Sequence, residues 1–94
     1  MSDDAVARLV ELLKSAQEAH HEAFVEQGGE DPEWPIWYAD FSLKGLRQQL
    51  SADFSKSELV YLLLTASHEH SIRAPGMSWP AFVARFLHDR YRTH

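Results

Sequence analysis

Cysteine is absent from this chain of 94 residues, so it holds no disulfide and no thiolate metal site. Long apolar runs are also absent: the longest, Leu59 to Leu64, is far shorter than a membrane span. The first residues, Met1 to Asp4, are acidic where a signal peptide would be basic. These absences predict a cytoplasmic protein that has no membrane partner.

Strand signals are missing as well. No segment alternates apolar and polar residues as a half-buried strand does, and no Asn-Gly hairpin turn occurs. What the chain does contain is a 45% apolar fraction, which is ordinary for a globular protein. Three Trp, five Phe and three Tyr supply much of the area that a small domain can bury. We therefore expect one helical domain spanning residues 1–94.

Basic residues are scarce in the first part of the chain. Residues 1–40 carry ten acids and two bases, whereas residues 41–94 carry seven bases and four acids. An acidic half argues against binding along a phosphate backbone, and the bases of the second part are spread out, so no nucleic-acid partner is expected. The charge pattern indicates either a solvated surface or a contact with a partner or second copy that is steered by opposite charges.

Caps and periodic apolar residues predict the first two helices. The first should run from about Asp3 to Gln27 and end at Gly28-Gly29, because glycine accepts the left-handed conformation at a helix C-terminus. Its apolar stripe comprises Val6, Leu9, Leu13, Ala16, His20 and Ala23. The second should run from Trp34, with a proline in its first turn, to about Leu50. Gly45 in its middle predicts a close crossing with another helix.

Two further helices follow. Ser55 and Glu58 form a capping box, which starts a third helix that ends near Ile72. Its core stripe comprises Leu59, Leu62, Leu63, Ala66 and His70, widened by Val60 and Leu64, so we expect it to be the most buried helix. Ser78 caps a fourth helix. Its predicted inward face carries Trp79, Phe82, Val83 and Phe86.

The dipeptide Trp-Pro occurs twice and marks an internal repeat. The segment from Trp34 to Phe41 matches the one from Trp79 to Phe86, and the segment from Leu9 to Ala16 matches the one from Leu59 to Ala66. Short connections favour antiparallel neighbours. The predicted fold class is therefore all-α: a compact four-helix bundle built from two pseudo-repeated helical hairpins, residues 3–50 and 55–92, in a pseudo-two-fold arrangement.

His20 and His70 occupy core-facing positions near the ends of their helices. A half-buried imidazole there can hydrogen-bond a free carbonyl of the following loop and so fasten the hairpin. The alternatives are a pH-sensitive contact or a small-ligand or metal site between the hairpins. Glu18 and His21 make half of a helical carboxylate metal motif, but the second repeat has no Glu-x-x-His. We therefore predict no cofactor and no specific metal site.

Aromatic residues crowd the start of the second helix and cover more than one of its faces. A small bundle can bury one stripe, so these residues form either core and loop packing or an exposed patch that binds a protein partner or a second copy. Trp and Tyr are enriched in binding hot spots. The candidate partner- or ligand-binding residues are Trp34, Trp37, Tyr38, Phe41, His20, His70 and Trp79.

No arrangement of catalytic residues stands out. No nucleophile elbow is present, and the apolar stripes hold no paired carboxylates. The sequence therefore favours a non-enzymatic helical interaction or accessory module over an enzyme. The alternative is a small-ligand or metal-binding bundle that uses His20 and His70.

The segment from Asp31 to Phe41, preceded by Ala19-His20-His21-Glu22, resembles a small family of bacterial proteins of about this length. Their shared pattern is similar to D-x-x-W-P-x-W-Y-A-x-[YF], with a helix and a histidine upstream. The resemblance covers most of the chain and implies a shared fold. No activity is assigned to that family, so the resemblance implies no chemistry.

Overall fold

The computed structural model describes the backbone of residues 2–91 and the side chains of residues 4–91. Four α-helices and one short 3-10 helix make up the described chain. They are α1 (Ser2–Ala23), the 3-10 helix (Val25–Gln27), α2 (Trp34–Leu50), α3 (Lys56–Arg73) and α4 (Trp79–Tyr91). Arg92, the last residue of the predicted second hairpin, lies outside the described residues.

The helices pack as a compact four-helix bundle, which confirms the predicted all-α fold class. α1 packs against α2 and α4, α3 packs against the same two helices, and α2 touches α4 across the diagonal. This pattern is unchanged when α1 is exchanged with α3 and α2 with α4, as a pseudo-two-fold arrangement of two hairpins requires. Within residues 2–91 there is no strand, and none of the helices is long and apolar enough to cross a membrane.

Burial follows the predicted repeat position by position. The inward side chains of α1 and α3 correspond as pairs: Leu9 with Leu59, Leu13 with Leu63, Ala16 with Ala66 and His20 with His70. Those of α2 and α4 correspond as well: Pro35 with Pro80, Tyr38 with Val83, Ala39 with Ala84, Ser42 with Leu87 and Leu46 with Tyr91. All are buried except His70 and Tyr91, which are half-buried. Most aligned positions therefore face one core in both hairpins, but the buried Leu62 of α3 corresponds to a half-buried Leu12 in α1.

Two predicted features of local structure are confirmed by contacts. The Ser55 hydroxyl accepts a hydrogen bond from the Glu58 amide at 3.1 Å, and the Glu58 carboxylate accepts one from the Ser55 amide at 2.8 Å. At the crossing of α1 and α2, a Cβ atom added to Gly45 would lie 2.9 Å from a methyl group of Leu12. The glycine therefore lets the two helices approach closely.

The end of the first helix differs from the prediction. α1 ends at Ala23 rather than Gln27, because the chain tightens into the 3-10 helix. Gly28 then adopts the left-handed conformation with φ of 70°, and the Gly29 amide donates to the Phe24 carbonyl at 2.8 Å. Glycine ends the helical segment as predicted, but Ala23 is exposed rather than part of the core stripe.

The predicted inward faces of α3 and α4 are partly wrong. α3 packs against α2 and α4 only along one side, so Leu64 is 48% exposed instead of widening the core. In α4 the small side chain of Ala84 and that of Leu87 are fully buried, whereas Phe82 and Phe86 are half-buried at the edges. From the periodic pattern alone, the large rings of Phe82 and Phe86 are expected to face the core. Where α4 packs closely against its neighbours, however, the small side chain of Ala84 fits and the rings do not.

Candidate functional site

The two Trp-Pro dipeptides meet at one end of the bundle. Both prolines are buried in the first turns of α2 and α4. The rings of Trp34 and Trp79 touch there, with centroids 5.9 Å apart and planes at 82°. The two tryptophans that the repeat makes equivalent are therefore direct neighbours where the diagonal helices come together.

Tyr38 completes a group of three steeply inclined rings. Its ring lies 5.1 Å from that of Trp79 and 5.7 Å from that of Trp34, at 68° and 87°. The Trp79 indole N–H donates to the Ser67 hydroxyl of α3 at 2.8 Å, which holds that ring in place. The three ring planes are therefore steeply inclined to one another, at 68° to 87°.

A cleft of about 310 Å³ lies beside these three rings. Its volume is at the lower end of the range for sites that hold small molecules or single side chains. The lining residues are His20, Gly29, Asp31, Trp34, Tyr38 and Trp79. Side chains from α1, α2, α4 and the loop after α1 thus converge on one concavity.

His20 and Asp31 form the polar wall of the cleft. The His20 Nε2 atom lies 3.2 Å from Asp31 Oδ2, and each side chain is only about 10% exposed. The other Asp31 oxygen accepts the Glu33 amide at 3.0 Å, which folds the loop into a turn just before α2. The carboxylate therefore has fixed partners on both oxygens although it is almost fully buried.

Aromatic rings surround the His20 imidazole. The centroids of Phe24, Trp37 and Tyr38 lie 4.7, 5.1 and 5.1 Å from that of His20. These three rings pack around the imidazole, and the ring edge that carries Nε2 faces Asp31. The arrangement orients the imidazole towards the carboxylate.

The predicted fastening of the hairpin loops is found in both hairpins, with different acceptors. The His70 Nε2 atom lies 2.6 Å from the Met77 carbonyl oxygen, as the prediction of a loop carbonyl requires. His20 instead pairs with a side-chain carboxylate. His20 lines the cleft and His70 does not, so the structure does not bring the two histidines into one site.

Trp37 and Phe41 extend the aromatic surface away from the cleft. Their rings are stacked at 5.3 Å with an angle of 13°, and Trp37 also contacts Tyr38 at 5.6 Å. Phe41 is 44% exposed and Ile36 is 45% exposed. We call the surface formed by the stacked rings of Trp37 and Phe41, together with the exposed side chain of Ile36, the aromatic ledge. It continues from the cleft to the outer surface of α2.

Asp31 and Gly29 line the cleft but were not among the candidate binding residues. In the sequence Gly29 marks the end of the first helical segment, and Asp31 is only the first residue of the motif that carries the resemblance. The signal that could have found it is a difference between the repeats: the loop after His20 carries an acid in its turn, whereas the loop after His70 supplies a main-chain carbonyl.

The surroundings of the cleft are acidic and partly desolvated. Glu30 and Glu33 are exposed on either side of Asp31 in the same loop. Burial raises the pKa of the Tyr38 phenol above its ordinary value of 10.0. In the part of the chain that the structure describes, no group of three or more His, Asp or Glu side chains is placed to hold a metal ion.

No protein-family model, curated protein or solved structure matches this chain. The resemblance to bacterial proteins that carry the Trp-Pro-x-Trp-Tyr-Ala pattern therefore rests on that motif alone.

Proposed function

We propose that this chain is a non-enzymatic interaction module that binds a protein partner through the cleft and the adjoining aromatic ledge. One observation carries the proposal: an unbroken series of ring contacts runs from Trp79 through Tyr38 and Trp37 to the exposed Phe41. Aromatic side chains that are half-buried and partly exposed are typical anchors of protein interfaces, because they bring large contact area at low entropic cost.

The partner is proposed to be a protein with a basic contact surface. The loop before α2 places Glu30, Asp31 and Glu33 beside the cleft, and the balance of charge over residues 1–40 is strongly acidic. Opposite charges would steer a basic partner towards this end and suppress acidic ones. The same acidic balance supports the expectation that the chain has no nucleic-acid partner. The chain is also proposed to be cytoplasmic and to have no membrane partner, as expected from the absence of a long apolar run.

A protein partner fits better than a small-molecule substrate. The cleft alone could hold a small ligand, but the ledge extends the exposed apolar surface well beyond it. Among the described residues that line the cleft there is no Ser, Thr or Lys, and the His20 ring is enclosed by Phe24, Trp37 and Tyr38. The His20–Asp31 pair therefore has no Ser, Thr or Lys side chain in the cleft lining to activate, and the pKa of the Tyr38 phenol is raised by burial, which favours recognition over catalysis.

The test compares two exposed aromatic residues, one on the ledge and one outside it. Phe41→Ala alters the ledge on α2, and Tyr61→Ala alters an exposed ring on α3 that lines a different cleft with Tyr91. Proteins captured by the wild-type chain from lysates of its own cells are purified, and their dissociation constants are measured by calorimetry. We expect Phe41→Ala to weaken binding at least about tenfold, since truncation of a hot-spot residue costs about 2 kcal/mol or more and tenfold corresponds to about 1.4 kcal/mol.

Tyr61→Ala should change the dissociation constant by less than about twofold, as expected for a side chain outside the interface. Equal weakening by both variants, weakening by Tyr61→Ala alone, or no specific capture by the wild type would overturn the proposal. Recovery of only the chain itself would replace the heterologous partner by self-association.

A further inference from the structure

We infer that the cleft is a receptor for an organic cation, and that the group it takes from the partner is the ammonium end of a lysine side chain. This inference rests on the proposed function, because it names the chemistry of the partner group that enters the same site. The observation behind it is the juxtaposition of three ring walls, from Trp34, Tyr38 and Trp79, with the nearly buried carboxylate of Asp31.

The ring walls favour a cation over a neutral or anionic group. The face of an aromatic ring carries partial negative charge, and Trp attracts cations most strongly. Here two of the three rings are tryptophans, and the three planes are inclined to each other by 68° to 87°. An ammonium group that enters the cleft can therefore contact more than one of these rings at the same time.

The Asp31 carboxylate lacks full charge compensation within the described protein. A charged group that is about nine-tenths buried is costly unless it is paired. Its described partners are the Glu33 amide and one ring nitrogen of His20, which offsets the charge only if the imidazole is protonated. Among the described residues no Lys or Arg side chain pairs with this carboxylate, and an ammonium group that enters the cleft would complement it.

The charged groups near the cleft have opposing effects on a bound cation. α2 and α4 both begin at this end, and each helix N-terminus carries roughly half a positive elementary charge, which disfavours a cation. The Asp31 carboxylate, which lines the cleft, and the exposed carboxylates of Glu30 and Glu33 in the same loop act in the opposite sense. The Asp31 carboxylate is the negative group in the cleft lining, so it is the one that a bound cation would meet.

The cleft is large enough for the end of a lysine side chain. A volume of about 310 Å³ accommodates an ammonium group with part of its alkyl chain. An organic ammonium cation could come from a partner's lysine or be a free quaternary ammonium ion. Both carry the positive charge that the aromatic rings attract, but only lysine has N–H groups to donate to Asp31, and separate titrations distinguish them.

The test is a nuclear magnetic resonance titration of the whole chain that follows the indole N–H signals of its three tryptophans. One arm uses a blocked Gly-Lys-Gly peptide, a second uses tetramethylammonium chloride, and sodium chloride at equal ionic strength is the control. We expect saturable shifts of the Trp34 and Trp79 signals with the lysine peptide and little change of Trp37, which lies outside the cleft lining.

A matched pair of variants tests the carboxylate. Asp31→Asn should weaken binding of the lysine peptide at least about fivefold, while Asp53→Asn, which alters an exposed acid paired with Arg47, should leave it unchanged. Shifts reproduced by sodium chloride, equal shifts of all three tryptophans, or an unchanged affinity of Asp31→Asn would overturn the inference. Saturation by tetramethylammonium but not by the peptide would assign the cleft to free quaternary amines and overturn the lysine assignment.

If Asp31→Asn does not fold, the pattern of Trp34, Trp37 and Trp79 shifts in the wild-type titration still tests the inference.

A failure of the cation-binding inference can be distinguished from a failure of the proposed function. If no cation binds but Phe41→Ala still weakens the partner complex, the interaction module stands without the lysine contact. If cations bind and no protein is captured, the cleft is a small-cation site and the interaction module is wrong.

Discussion

The His20–Asp31 contact is the feature at the scale of single residues on which the cleft depends most. His20 belongs to the core stripe of α1, yet its polar edge faces the loop. Its apolar surroundings and its hydrogen bond together hold the loop against the bundle. Removing the ring would leave a nearly buried carboxylate with one fewer partner.

His20→Ala and His21→Ala form a matched pair for this contact. We expect His20→Ala to lower the free energy of unfolding by about 1–3 kcal/mol, the usual cost of leaving a buried polar group unsatisfied, with lost ring packing in addition. His21 is exposed on the same turn, and its removal should cost less than about 0.5 kcal/mol. Urea denaturation measures both, and equal losses would show that the His20–Asp31 pair does not fasten the loop.

Tyr38 carries a prediction about pH. Because its folded-state pKa is raised above 10.0, the neutral phenol stabilises the fold. This contribution is complete below pH 10.0 and is lost as the pH rises through the folded-state pKa. A titration of tyrosinate absorbance should therefore contain a component above pH 10.0 that disappears in Tyr38→Phe. A high-pH component that persists in that variant would contradict the assignment.

At the scale of helices, local sequence signals predicted most boundaries. Pro35 and the Ser55–Glu58 box mark the first turns of α2 and α3, and both helices begin where these signals place them. The predicted ends of these two helices also lie within one residue of the observed ones. The end of α1 was misplaced because no side-chain cap marks the change to the 3-10 helix at Phe24. The exposure of Leu64 depends on which helices surround α3.

The crossing of α1 and α2 at Gly45 gives a prediction for a pair of helices. Alanine is favoured over glycine inside a helix by about 1 kcal/mol, but here its methyl group would lie 2.9 Å from Leu12. We expect Gly45→Ala to gain about 1 kcal/mol of stability only when Leu12→Ala has removed the contact, and clearly less in the wild type. Thermal or urea unfolding of the double-mutant cycle measures the coupling, and additive effects would refute the close approach.

At the scale of the whole molecule, the two hairpins share a frame, and their differences create the cleft. Trp34 and Trp79 occupy equivalent positions, whereas Tyr38 stands where the second hairpin has Val83. The sequence predicted the four-helix bundle and named four of the six lining residues, His20, Trp34, Tyr38 and Trp79. It could not predict that Trp79 meets the other three, because helix periodicity carries no information on the distance between separate hairpins. Asp31 was missed because it lies in a loop, where helix periodicity does not indicate which side chains face the core.

The most direct measurement of the central claim, that the aromatic end is the working surface, is photo-crosslinking in cells that produce the protein. A benzophenone amino acid is placed at position 41, on the ledge, or at position 61, on the exposed side of α3 and outside the ledge. The proposed interaction predicts a protein adduct from position 41 and none from position 61. Adducts of equal yield from both positions, or from position 61 alone, would contradict it.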